Sequence, residues 1–266
     1  MIKKSKIAIV AMFAAMLMFG CKKENTDTAQ SDSLTDSEVK MIKAAGFDPE
    51  GAYKLEGKFL VEGDILLSSD ELREISTNTD PGINVANDEH YRTTNLVTAL
   101  PRTIKVRYTG GYTSISTALT NAIARYNAKN LRVKFLRVTT GQHINITTVS
   151  NVSYIASAGF PSGGNPYNSV KFNTAYTGWN ANTLTTVIAH ELGHCIGFRH
   201  TDYAHREYSC GGSHVSEGAG SIGAVFIPGT PNLNTKDAGS WMNACISNGV
   251  NRPFCGHDVI ALNYVY

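Results

Sequence analysis

Three histidines and one glutamate, His190, Glu191, His194 and His200, have the types and the spacing for metal chemistry. In His190-Glu191-Leu192-Gly193-His194 the imidazoles lie four residues apart, so on a helix both leave one face and can grip one ion. Glu191 sits beside the first ligand, within reach of a bound water. Gly197 can take a left-handed backbone that ends the helix and turns the chain back, and His200 then supplies a third imidazole. Three neutral histidines leave a fourth position open, the arrangement of a catalytic rather than a structural zinc. The ion lowers the pKa of its water from 15.7 towards about 7, and Glu191 can take the proton as that water attacks a polarised carbonyl. That chemistry is hydrolysis without a covalent intermediate.

The five-residue motif alone is only moderately specific. With Gly197 and His200 at their offsets it becomes strong. His90, His143, His205, His214 and His257 lack such spacing and read as surface or hydrogen-bonded residues. Glu207 and Glu217 are available as a glutamate third ligand, which His200 makes unnecessary. Cys195 is a thiolate donor by type, but its neighbour His194 already has the helical offset, and both side chains could hardly reach one ion.

Positioning these groups requires a framework. Thr183 to Ile196 is the most convincing helix and carries the first two ligands. Ile104, Val106 and Tyr108 alternate as a strand, and Ile115, Leu119, Ala122, Ile123 and Tyr126 recur at helical spacing. Alternating runs at 131–138 and 143–149, a Gly- and Pro-rich loop at 159–167 and a short strand at 169–173 follow. Nearer the start, Ser37 to Ala45 predicts a short helix ending at Gly46, and Lys58 to Leu67 a strand pair or bulged strand around Gly63. Polar stretches at 22–36 and 76–95 read as a tether and a linker.

At 266 residues and 42% hydrophobic, the chain can bury a real core. With 24 basic and 22 acidic residues, its formal charge of +2 supports neither a nucleic-acid footprint nor a membrane-surface patch. Lys3, Lys4 and Lys6 precede an apolar run from Ile7 to Phe19, the build of a secretory signal rather than a span. Phe19-Gly20-Cys21 then looks like a bacterial lipoprotein cleavage site, with Cys21 as lipid anchor. The remaining four cysteines, Cys195, Cys210, Cys245 and Cys255, suggest two disulfides in an exported chain, with three connectivities open.

The motif HExxHxxGxxH, followed by Ser240-Trp241-Met242-Asn243, resembles the metzincin clan of zinc peptidases. Within it, HELGHCIGFRHTD, GFPSGG, SWMNAC and HDVIALNYVY are similar to the myxobacterial protease B group, the dual-action HEIGH metallopeptidases, over Pro101 to the end. The resemblance implies a small twisted mixed sheet, an active-site helix, a Met-turn with Met242 as hydrophobic floor, and a C-terminal helix, an α+β class. It implies one catalytic zinc and a substrate lying along an edge strand supplied by 159–173. Where astacin-like and serralysin-like enzymes place a tyrosine two residues after the methionine, this chain has Ala244, which leaves transition-state stabilisation mostly to zinc. Val61-Glu62-Gly63-Asp64-Ile65 is similar to the F-x-G-D element of astacin propeptides, which implies Asp64 as a latency switch; an acidic turn residue after Gly63 is the equally weighted alternative.

The expected organisation is a lipoprotein signal peptide at 1–20, a tether and propeptide-like segment at 21–95 and a catalytic domain at 96–266. The expected function is an exported zinc endopeptidase acting on a protein or peptide substrate. It would sit in the bacterial cell envelope as a lipoprotein or outside the cell after processing, touching the membrane through its N-terminal lipid only and binding no nucleic acid. No motif sets an oligomeric state. The rivals are a catalytically inactive metzincin-fold surface-binding lipoprotein, which has no need of Glu191, and a structural zinc domain, which would fill the fourth ligand position.

Overall fold

The computed structural model describes residues 33–77, 90–219, 222–231 and 236–266. The signal-like run, Cys21, most of the tether and most of the linker lie outside the described residues.

The N-terminal part is folded and docked. Helix α1 (Asp36–Ala44) starts at Thr35, whose hydroxyl accepts from Glu38 N while the Glu38 carboxylate accepts the Thr35 N–H. Strands β1 (Tyr53–Leu55), β2 (Lys58–Val61) and β3 (Ile65–Leu67) form an antiparallel meander, and α2 (Ser69–Thr77) follows. The expected strand pair is a hairpin: Val61 faces Ile65, and Glu62 and Gly63 turn the chain with φ of 55° and 87°. Such a turn favours a glycine, which explains Gly63. Ile42, Phe59, Val61, Leu67 and Leu72 close a core that also takes in Phe160 and Ile222 of the main body.

In the main body β4 (Tyr91–Arg92) leads to β5 (Arg102–Tyr108), α3 (Thr113–Asn127), β6 (Val133–Arg137), β7 (Ile144–Val149), β8 (Ala156–Ser157), β9 (Ser169–Asn173) and α4 (Ala181–Cys195). Beyond α4 come the single turn α5 (Glu207–Cys210), β10 (Val225–Phe226), which pairs with β4, and α6 (Gly256–Val265). The five-stranded sheet has the order β6-β5-β7-β9-β8, with only β8 antiparallel. The stripe Ile115, Leu119, Ala122 and Tyr126 on α3 shares one core with Leu184, Ile188 and Leu192 on α4 and with the inward strand residues Ile104, Val106, Phe135 and Ile146. This is the expected α+β class.

Two expectations are corrected. β9 lies between β7 and β8, so the edge is formed by 156–158, upstream of the 159–173 segment expected there. The intervening loop folds back on itself, with Ser162 and Asn165 bonded to each other, and returns β9 to the sheet interior parallel to β7. Of the two expected disulfides only Cys210–Cys245 is present among the described residues, where Cys195 and Cys255 are free. Cys195, the last residue of α4, is fully buried in the core, whereas Cys255 caps α6 with its thiol on the Asp237 carboxylate.

Candidate active site

The metal-ligand helix begins where Asn180 caps it, its side-chain oxygen accepting from Asn182 N. Every residue from Thr183 to Cys195 is buried, so the helix is rigid and its ligands are aimed by packing. Gly197 ends it with φ of 107°, and a Cβ there would stand 3.0 Å from the Asn95 carbonyl oxygen. The reversal lets Phe198 N donate to Gly193 O and swings His200 back over the helix.

All three ring Nδ1 atoms are bound outward: His190 to Trp241 O at 2.9 Å, His194 to Phe198 O at 2.8 Å and His200 to Glu217 Oε1 at 2.7 Å. A carbonyl or carboxylate only accepts, so each Nδ1 carries a proton and each Nε2 is left to face the cluster; the Asp64 and Glu217 carboxylates on either side of His200 hold its pKa above the usual histidine range. The Nε2 atoms of His190 and His194 lie 2.9 Å apart. Two lone pairs at that distance repel unless a cation lies between them. Burial holds His194 well below the usual histidine range, so its Nε2 keeps a lone pair free for a cation. The donor set therefore fits zinc, with His190, His194 and His200 as ligands.

Asp64 completes this cluster from the hairpin between β2 and β3. Its Oδ2 lies 3.0 Å from His200 Nε2, 3.4 Å from His190 Nε2 and 3.9 Å from His194 Nε2, and the four residues form one metal-competent group. Its backbone is pinned to the sheet edge: Ala158 N donates to Asp64 O at 2.9 Å, and Leu66 N to Ala158 O at 2.7 Å. The hairpin thus lies along the edge where an added strand would pair.

Glu191 is buried, lines the cleft, and its Oε2 has no partner among the described residues. Burial, and then the Asp64 charge, push its carboxyl well above the usual range. The cleft, about 250 Å³, is also lined by Tyr154, Val187, Trp241, Asn243, Ile246 and Arg252. Arg252 belongs to the cleft wall, its guanidinium donating to Cys245 O and Ala238 O.

Met242 is buried beneath α4, and a Cβ on Gly193 would come within 2.6 Å of its sulfur. Glycine inside the motif is therefore what admits the methionine floor. The turn is fastened by Asp258, whose carboxylate accepts from Ser240 Oγ, Trp241 N and Cys255 N and meets His90 Nε2 at 2.9 Å. Asp202 holds the next residues, accepting from Ala244 N and Ser209 Oγ. Motif spacing did not reveal Asp258 or Asp202; the signal for Asp258 was its place in the HDV opening of the last helix.

Glu217 is no ligand: it orients His200 and also receives Arg206. Arg199 is buried with its Nη2 2.6 Å from Glu62 Oε1 and 3.7 Å from Glu217 Oε2. Glu207 lies instead with His205 and His214. The structure thus joins His190, Glu191, His194, His200, Met242 and Asp64, and leaves Cys195 and Glu207 apart.

No curated protein matches the chain. Among solved structures it is similar to myroilysin at 15% identity, covering 64% of this chain and 82% of that one with a TM-score of 0.42. It is also similar to high choriolytic enzyme 1, a hatching enzyme zinc-protease of the medaka fish Oryzias latipes, at 15% identity, 60% and 88% coverage and a TM-score of 0.32. The model of the dual-action HEIGH metallopeptidases matches residues 59–266, and the chain belongs to that family of zinc metallopeptidases.

Proposed function

We propose that the chain is the latent precursor of an exported endopeptidase, anchored through Cys21, which hydrolyses protein or peptide substrates outside the cytoplasm once its N-terminal segment is displaced. The observation that carries the catalytic part is Glu191, a buried carboxylate with a free oxygen in the cleft beside three converging imidazoles. A module that only binds has no use for such a base.

Zinc, when bound by His190, His194 and His200, supplies a Lewis acid that polarises the scissile carbonyl and acidifies a water. Glu191 accepts the proton of the attacking water and is placed to pass it to the leaving amine. Trp241 O and Phe198 O fix the rings of His190 and His194. Met242 and the rest of the buried turn exclude water from below. Ala244 leaves no phenol at the position after the Met-turn, and its N–H is engaged by Asp202.

Asp64 and the β2–β3 hairpin occupy both the ligand cluster and the edge at Ala158, which supports latency. Cleavage in 76–95 would release the domain from hairpin and anchor together. Zinc content and casein cleavage, measured for the parent after removal of its N-terminal segment and for Glu191→Ala, test the catalytic reading. The expected result is a mutant that keeps zinc and loses hydrolysis. A parent that binds zinc and cleaves nothing would instead favour the inactive binding module.

A further inference from the structure

The net charge of +2 conceals a division along the chain. Residues 22–89 hold 7 Lys and Arg against 16 Asp and Glu, a charge of −9, whereas residues 90–266 hold 14 against 6, a charge of +8. From His90 to His190 there are 10 basic residues and no acidic one. The catalytic part is a cationic body whose charge its own N-terminal segment offsets.

The fold gathers part of this charge on one surface. Side chains alternate across a strand, and with Ile104, Val106, Val133, Phe135, Ile144 and Ile146 turned into the core, their neighbours face outward. In register, Thr103 lies beside Lys134, Lys105 beside Leu136, Arg107 beside Asn145 and Thr147 beside Lys171. The five strands carry no carboxylate at all. Arg132, just before β6, is exposed as well, and Leu136 stands among these cations half exposed. Among the described residues, none of the eight cations between Arg102 and Arg137 forms an ion pair. At the other side of the face Lys171 pairs with Glu56 of the N-terminal segment, so that segment already supplies an anion to this face.

We propose that the outer face of the β6-β5-β7-β9 sheet is a docking surface for an anionic lipid bilayer, weak in the precursor and stronger once residues before 90 are lost. An array of cations along the strands, all but Lys171 without an ion pair among the described residues and set around one exposed leucine, matches the charged headgroup layer of a membrane better than a pocket for a single ion. The choice of a bilayer rests on the envelope location proposed above, since an anchored chain is held within a tether's length of one. Binding itself would not need the lipid at Cys21. Each cation near such a surface strengthens attachment about fivefold, and salt screens the attraction.

The test uses residues 22–266 prepared without lipid, before and after cleavage of the linker and removal of the N-terminal segment. Both are sedimented with vesicles of phosphatidylcholine alone or mixed with phosphatidylglycerol. The expected result is salt-sensitive binding to the mixed vesicles only, tighter after cleavage, and weakened more than tenfold by joint Lys105→Glu and Lys134→Glu substitution. Joint Lys105→Arg and Lys134→Arg should bind as the parent does. Zinc content and casein cleavage report folding of every variant and are expected to be unchanged. Equal binding to neutral vesicles, no loss on charge reversal, or capture only by a soluble polyanion such as dextran sulfate would overturn the proposal. None of these outcomes bears on whether the chain is a peptidase, which the casein assay reads separately.

Discussion

Asp64 Oδ2 stands 3.0 Å from His200 Nε2, with the Asp64 side chain at the cleft. A carboxylate there contests the position that an attacking water or substrate carbonyl must take. Replacing Asp64 by alanine removes that oxygen while leaving the backbone bonds to Ala158 in place. Uncleaved Asp64→Ala is therefore expected to hydrolyse casein faster than the uncleaved parent. Equal latency in the two would show that the hairpin blocks the edge without help from the carboxylate.

Glu62 gives the same turn a second hold, through its 2.6 Å bond to Arg199, both side chains being buried. Removing one member of a buried pair leaves the other charge short of its partner, at a cost of about 3–5 kcal/mol. Glu217, 3.7 Å from the same nitrogen, places the effect towards the lower end. Glu62→Ala should lower the melting temperature of the precursor by several degrees and leave its zinc content unchanged. A precursor variant that melts with the parent would contradict the assignment.

Glu217 acts through His200, accepting its Nδ1–H at 2.7 Å. Carboxylates in that role orient the ring and raise its basicity as a ligand, and their loss costs about 10–100-fold in metal affinity. Glu217→Gln should lose zinc to a chelator at lower concentrations than the parent, with the loss read by atomic absorption. Retention equal to the parent would reduce Glu217 to a partner of Arg199 and Arg206.

The contrast between Glu217 and the histidines shows where legibility ended. Spacing along one helix exposes His190, Glu191 and His194, because a period of 3.6 residues fixes a shared face, and Gly197 with His200 extends the signal by one turn. Glu217 reaches His200, and Asp258 reaches Trp241, at a separation of 17 residues, with no period to betray them. The helix of 183–196 and the alternating strands were plain for the same reason. The strand at the edge was misplaced, because a loop that folds back between β8 and β9 changes which strand ends the sheet without changing the pattern of either. Charge was misread through its sum: one near-neutral total hid two segments of opposite sign.

Gly197 tests the geometric side of the motif. Its φ of 107° is costly for any residue with a Cβ, and the added carbon would lie 2.8 Å from Leu96 Cδ2 and 3.0 Å from Asn95 O. Strain of this kind costs on the order of 1–3 kcal/mol, and relief requires moving the turn that delivers His200. Gly197→Ala should therefore lower both melting temperature and zinc retention, whereas Gly178→Ala, at a site with open space, should alter neither. A stable Gly197→Ala that binds zinc as the parent does would mean that the turn adapts without moving its histidine.

The cysteines separate one disulfide from two. Cys255 is half-buried, and burial together with the Asp258 charge pushes its thiol up to about 12, while burial also raises Cys195 well above the thiol range. Only the thiolate attacks an alkylating agent, so at pH 8 both remain in the unreactive form while the chain is folded. The sign is fixed by the direction of the shift: a raised pKa keeps the proton on sulfur across the neutral range, and unfolding returns both thiols to ordinary reactivity. Iodoacetamide is expected to leave the native chain unmodified and to label Cys195 and Cys255 after denaturation without reductant, with Cys210 and Cys245 labelled only once reduced. Mass spectrometry of the denatured, unreduced chain showing no labelled cysteine at 195 or 255 would establish a second bridge and overturn the single Cys210–Cys245 link.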